Sequence, residues 1–189
     1  EENHNLPFSF ELTQVDSNYQ IIIFNAEEQI IVNEISLVND SLYIQLPVFE
    51  SEFQLKVEAE NLLSGVWINY YKSADYKIEV TANWGEKSRF NISDNSSGSV
   101  AEKYEVTFGT GIEDAYSAIG IFEQDGNKIQ GTFATETGDY RHLEGNVTSD
   151  SLFLSTFDGS HAFLFKAAIK DSTLEGMFWS GTHFKENWK

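Results

Sequence analysis

The sequence predicts an all-β fold, an antiparallel meander that forms either a closed barrel or a two-sheet sandwich, and three observations carry that prediction. Apolar and polar residues alternate with period two along most of the chain, which is the pattern of strands with one buried face. Compact turns of Asp, Gly, Asn and Ser recur about every ten residues. The third observation is an internal duplication. Asp40-Ser41-Leu42-Tyr43-Ile44, followed 25 residues after Asp40 by Gly65-Val66-Trp67, reappears as Asp150-Ser151-Leu152-Phe153-Leu154, followed 26 residues after Asp150 by Gly176-Met177-Phe178. Each copy sets a turn-forming Asp-Ser before a short apolar strand and a glycine ahead of an aromatic strand, which describes one hairpin unit used twice.

Taken in order, Phe8 to Val57 yields four or five strands. Tyr76, Ile78, Val80 and Ala82 then alternate with Lys77, Glu79 and Thr81, and Tyr104, Val106 and Phe108 with Lys103, Glu105 and Thr107. From Ala115 onward about seven strands follow, separated by Asp125-Gly126-Asn127, Thr137-Gly138-Asp139, Asp158-Gly159-Ser160 and Lys170-Asp171-Ser172. These turns hold residues that tolerate positive φ or form Asx turns. Ser93 to Ser99 is polar and glycine-containing, and reads as an exposed loop joining two similar halves, about 6–92 and 100–189, of a single domain. No convincing amphipathic helix interrupts the pattern. A barrel is the preferred closure, because an open sheet of so many strands would expose long edges. Leu63-Ser64-Gly65-Val66-Trp67-Ile68-Asn69 resembles the glycine-x-tryptophan opening strand of calycin-like barrels, the avidin-like and lipocalin-like ones.

With 189 residues, 41% hydrophobic and 14% aromatic, and only two prolines, the chain has the material for a proper core. Its 30 acidic against 12 basic residues give a formal charge of -18, which repels nucleic acid and disfavours an anionic membrane surface. No apolar run approaches the roughly 18 residues needed for a transmembrane segment. Cysteine is absent, so disulfide, thiol nucleophile and thiolate-metal chemistry are excluded. The opening Glu1-Glu2-Asn3, without initiator methionine or signal-like stretch, reads as a processed or trimmed chain.

The densest polar candidate is Phe157-Asp158-Gly159-Ser160-His161, a turn that carries a carboxylate and a hydroxyl into an apolar strand headed by histidine. A hydrolase needs serine, histidine and acid in mutual hydrogen-bond reach. Neighbours on a tight turn seldom point at one another in that order, and a self-capped Asp-Gly turn is the favoured reading. Period two sets His161 on the face of Phe163, Phe165, Ala167 and Ile169, at the rim of the buried side. Asp139-Tyr140-Arg141-His142 is a second concentration, with Arg141 one of two arginines; it pairs with a carboxylate or faces an anionic ligand, the carboxylate pair being favoured. His142 reads on the face of Tyr140 and Glu144, and His183 follows Gly181-Thr182. No histidine stands at zinc-like spacing from another ligand, and no Asp-x-Asp-x-Asp-Gly calcium loop is present. Trp67, Trp84, Trp179 and Trp188 either line a ligand cavity, stacking on sugars, or fill the barrel. The Asn-x-Ser/Thr triplets at Asn91, Asn95 and Asn146 are as well explained by exposed turns as by glycan acceptors.

A family resemblance enters in the last third. Gly131-Thr132-Phe133, Thr137-Gly138-Asp139-Tyr140-Arg141, Leu143-Glu144-Gly145, the run from Leu154 to Phe165 and the run from Ser180 to Trp188 carry it. Together they resemble the β-rich domain that precedes the redox domain in TlpA-like, thioredoxin-fold thiol-disulfide reductases exported by Bacteroidetes. Leu46-Pro47-Val48-Phe49-Glu50-Ser51-Glu52-Phe53 and Gly65-Val66-Trp67-Ile68-Asn69 fit the same family's first half. The Asp-Ser triplets at Asp40, Asp150 and Asp171 resemble O-glycan acceptors of exported Bacteroidetes proteins, though turn chemistry explains them equally. The resemblance implies a periplasmic or outer-envelope lipoprotein whose Cys-x-x-Cys redox domain follows the position of Lys189. A chain without cysteine does not inherit that oxidoreductase activity, so no catalytic residue, cofactor or metal is assigned.

The functional expectation is a non-catalytic accessory domain whose partner is the thioredoxin-like domain of the same chain or a client protein. The alternative is a small-ligand binder using the barrel interior, which requires an internal cavity of a few hundred cubic ångströms. A hydrolase built on Asp158, Ser160 and His161 is the remote third. Candidate binding residues are Asp139, Tyr140, Arg141, Asp158, His161, Trp179 and His183.

Overall fold

The computed structural model describes residues 4–73, 75–85, 88–90, 92 and 98–189, and every regular element among them is a β-strand in antiparallel pairing. No helix among these residues is long and apolar enough to cross a membrane. Strands β1 (Ser9–Val15), β2 (Asn18–Asn25) and β3 (Glu28–Val32) form a three-stranded sheet. A single residue, Asn33, then carries the chain into a five-stranded sheet in chain order: β4 (Glu34–Val38), β5 (Ser41–Gln45), β6 (Ser51–Ala59), β7 (Leu62–Asn69) and β8 (Lys77–Asn83). Ile21, Ile23 and Val32 of the first sheet meet Leu42, Ile44, Phe53, Leu55 and Trp67 of the second in one core. This part is therefore a two-sheet sandwich. Phe8 to Val57 contains six strands rather than four or five, because the polar pair Asp16-Ser17 is a tight hairpin turn with Asp16 at φ 58°.

The second part is the barrel. Strands β9 (Lys103–Phe108), β10 (Tyr116–Asp125), β11 (Lys128–Thr135), β13 (Leu143–Val147), β14 (Ser151–Phe157), β15 (Ala162–Lys170), β16 (Thr173–Ser180) and β17 (Phe184–Trp188) close in a ring of eight, since β10 pairs with both β9 and β11. The two-residue β12 (Gly138–Asp139) hangs on β11. Hairpins use the expected turns: Gly126 at φ 60° lies between the paired Asp125 and Lys128, and Asp171 at φ 52° between Lys170 and Thr173.

Alternation sends Phe108, Phe133, Phe165, Phe178 and Trp188 inward. Their rings touch, with Phe165 stacked on Phe178 at 4.5 Å and Phe133 at 4.9 Å from Phe165 and 5.1 Å from Trp188. Each buried ring contributes roughly 1.5–3 kcal/mol by removal from water. The barrel axis, where the ligand-binding alternative requires its cavity, is occupied by these rings.

The duplicated segment is a three-strand unit with one register. Leu42, Leu55 and Gly65 lie abreast on β5, β6 and β7, as do Ile44, Phe53 and Trp67. Leu152, Ala167 and Gly176 repeat the first row on β14, β15 and β16, and Leu154, Phe165 and Phe178 the second. Glycine is required because the strands run too close for a side chain: a Cβ on Gly65 would stand 2.0 Å from the Gln54 carbonyl oxygen, and one on Gly176 2.1 Å from that of Lys166.

Two expectations need correction. Gly65-Val66-Trp67 belongs to the sandwich, not the barrel, because β7 pairs with β6 and β8. His142 does not share a face with Tyr140. Arg141 at φ 65° breaks the alternation there, leaving Tyr140 against the barrel core and His142 exposed between strands. Most of the polar loop expected at 93–99 lies outside the described residues, as do Asn91 and Asn95, whereas Asn146 is buried.

Candidate functional site

The Asp158-Gly159-Ser160-His161 turn between β14 and β15 is a peg of the barrel set into the end of the sandwich. Phe157, just before it, packs against Phe8 at 4.6 Å, Trp67 at 5.0 Å and Phe53 at 5.3 Å, and joins the sandwich core. Asn25 at the end of β2 reads the Phe157 backbone in both directions, donating from Nδ2 to the carbonyl at 2.9 Å and accepting its N–H on Oδ1 at 3.1 Å. Ser51 donates its hydroxyl to the Gly159 carbonyl, and Asn69 Nδ2 donates to that of Ser160 at 3.1 Å.

The Asp158 carboxylate, with no exposed side-chain surface, is the hub of this peg. Oδ1 accepts the backbone N–H of Ser160 at 2.8 Å and of His161 at 2.7 Å. Oδ2 faces His161 Nδ1 at 3.0 Å and Arg141 Nε at 3.3 Å. The Arg141 Nε–H is not aimed at that oxygen, so this last contact is ionic and not a hydrogen bond. Burial pushes the Asp158 carboxyl up, but the side-chain and backbone hydrogen bonds of His161 and the Ser160 amide outweigh it, and the group is held below its ordinary value. Such a carboxylate is a poor base. Among the described residues no hydrogen bond links His161 to the Ser160 hydroxyl, whose residue engages Asp158 through its amide instead.

Arg141 extends the hub across the seam, its Nη2 lying 2.6 Å from Glu28 Oε1 at the start of β3. Its own amide is held by Asp139 Oδ1 at 3.0 Å, which fixes the left-handed turn from which it projects. The chain's other arginine serves the same seam. Arg89, its side chain 2% exposed, donates from Nη2 to the Phe24 carbonyl at 2.6 Å and to Glu144 Oε2 at 2.8 Å. Glu144 in turn accepts the Ala26 amide at 3.0 Å. Both arginines thus tie the β2–β3 region of the sandwich to the barrel wall.

The structure brings Arg141, Asp158 and His161 into one cluster and disperses the other candidates. Tyr140 closes one end of the barrel, its hydroxyl 2.5 Å from that of Tyr116, which donates to Glu186 Oε1 at 2.6 Å. Burial, with the Glu186 hydrogen bond next, raises the Tyr116 phenol well above its ordinary value. Trp179 lies on the outer barrel wall, 4.2 Å from the His4 ring, beside a shallow groove of about 300 Å³ shared with Phe153, Lys166 and Met177. Trp67 and Trp188 are core residues, and Trp84 is 76% exposed. His183 meets Lys72 and Tyr76 of the β7–β8 connection. No group of three or more His, Asp and Glu side chains among the described residues converges as a metal site.

Sequence reasoning missed Asn25, Glu28, Arg89 and Glu144, the other half of the seam. The scarcity of arginine was the available signal: in a chain with 30 acids, both arginines are placed at the seam, Arg141 between carboxylates of the two modules and Arg89 between a barrel carboxylate and a sandwich backbone carbonyl. Set against models of protein families, curated proteins and solved structures, the chain matches none.

Proposed function

We propose that this chain is a non-catalytic interaction domain of an exported thiol-disulfide oxidoreductase, positioning a thioredoxin-like domain of the same polypeptide or recruiting its client. The observation that carries the reading is the Asp158 hub. The residues most suggestive of catalysis in the sequence are engaged in joining sandwich to barrel, with both oxygens of Asp158 in contact with donors. Phe157, carried on a barrel strand but buried in the sandwich core, suits a rigid platform better than a hinged enzyme. The resemblance over Gly131 to Trp188 supplies the redox context and the cell-envelope location, and the lack of cysteine assigns the sulfur chemistry to another domain.

The native reading frame beyond the codon for Lys189 is the first test. A Cys-x-x-Cys on a thioredoxin-like pattern is expected, and disulfide-reductase turnover of that full chain should change when residues 1–189 are deleted. A frame that stops within a few codons, or turnover and client range unaltered by the deletion, would refute the proposal.

A further inference from the structure

Lys72 and His183 belong to different modules, one to the β7–β8 connection of the sandwich and the other to the β16–β17 connection of the barrel. Lys72 Nζ lies 3.0 Å from His183 Nε2 and 3.2 Å from Nδ1. The in-plane positions of the two ring nitrogens point away from each other. An ammonium nearly equidistant from both therefore meets neither head on and keeps N–H donors for another acceptor.

Tyr76 adds a third polar atom. Its hydroxyl is hydrogen-bonded to His183 Nδ1 at 3.3 Å and accepts the Thr182 amide at 3.3 Å, so once His183 is protonated and its Nδ1–H donates to that oxygen, the phenolic hydrogen is free for a ligand oxygen. Gly181 permits this approach, since a Cβ there would stand 2.0 Å from the Tyr76 hydroxyl. Lys72 also stands 4.8 Å from the centroid of the Tyr76 ring, which holds its ammonium on this side.

What the cluster lacks is an acid. Carboxylates pair with Lys56, Arg89, Arg141, Lys170 and Lys189, but among the described residues none lies within ion-pair distance of Lys72 or His183. Two basic side chains thus stand side by side without a paired acid in a chain of charge -18, and the spot is open to solvent. We propose that Lys72, Tyr76 and His183 form an oxyanion site that takes one carboxylate or phosphate group at the junction of sandwich and barrel. The ligand accepts from Lys72 Nζ, from the Tyr76 hydroxyl and from His183 in its protonated form. Burial first, and then Lys72, hold the His183 imidazole below its ordinary value, and an anion between the two cations reverses the second effect. Binding therefore takes up a proton.

The test is an NMR titration of the 189-residue chain with inorganic phosphate and with acetate, ionic strength being held constant with chloride. It is read at the His183 imidazole, with His142 and His161 as internal controls. A saturable shift confined to His183 is expected, with a dissociation constant of about 1 mM for the better anion, together with a His183 titration moved to higher pH. Lys72→Gln should abolish saturation, and Tyr76→Phe should weaken binding about threefold through loss of one hydrogen bond. Shifts that stay linear for both anions, or saturation that persists unchanged in Lys72→Gln, would overturn the site.

Discussion

Replacing Asp158 by alanine removes the acceptor on which the peg depends. The amides of Ser160 and His161, 2.8 and 2.7 Å from Oδ1, lose a charged partner in a place water reaches poorly. Hydrogen bonds to charged groups contribute about 1.5–3 kcal/mol each. Arg141 adds less, because its side chain is 38% exposed and still has Glu28, so about 0.5 kcal/mol is assigned to its share. The expected loss is about 4 kcal/mol for Asp158→Ala. Asp158→Asn keeps an oxygen for the two amides and should lose about 2 kcal/mol, by removal of the charge alone. In a chain of this size those losses lower Tm by about 8–16 °C and 4–8 °C respectively. Urea unfolding with calorimetry measures both, and a cycle with Arg141→Gln isolates the ion pair. An Asp158→Ala variant within about 0.5 kcal/mol of the parent, the range of ordinary surface substitutions, would show that the carboxylate does not hold the seam.

Acid should weaken the same contact. Because the folded-state value of Asp158 is depressed, its contribution is complete above the ordinary carboxylate value of about 3.9 and is lost as pH falls through the lower folded value; unfolding free energy measured from about pH 5 downward should fall less steeply in Asp158→Asn. Arg89→Met leaves the Phe24 carbonyl and Glu144 without their shared donor and should cost about 3 kcal/mol by chemical denaturation. Gly145→Ala would set a Cβ 1.7 Å from the Phe153 carbonyl oxygen, so a loss of about 3 kcal/mol or failure to fold is expected. Gly85→Ala, where a Cβ meets nothing within 4 Å and only the φ of 87° is strained, should cost about 1 kcal/mol and serves as its control. Phe165→Ala opens the centre of the barrel and should cost about 4 kcal/mol in the same assay.

What the sequence determined by itself was whatever depends on near neighbours. Period-two alternation named the inward faces of β8, β9 and β15, and Asp, Gly and Asn marked the hairpin turns, because both follow from backbone geometry over two to four residues. The duplicated glycine and aromatic rows were legible for the same reason, the aromatic standing two residues beyond the glycine on one face. Alternation assigns a residue to a face and says nothing about the partner across from it. Only the tertiary structure decided that one copy of the unit lies in an open sandwich sheet and the other in a closed barrel, since closure rests on β10 pairing with β9 and β11. Only it brought Arg141 to Glu28, 113 residues away, and set the Asp158 turn, whose self-capping the sequence already favoured, against the sandwich as a structural hub. The physical reason is range: strand and turn preferences act within a few residues, whereas ring closure and ion pairs across a seam are set by where whole sheets curve and meet.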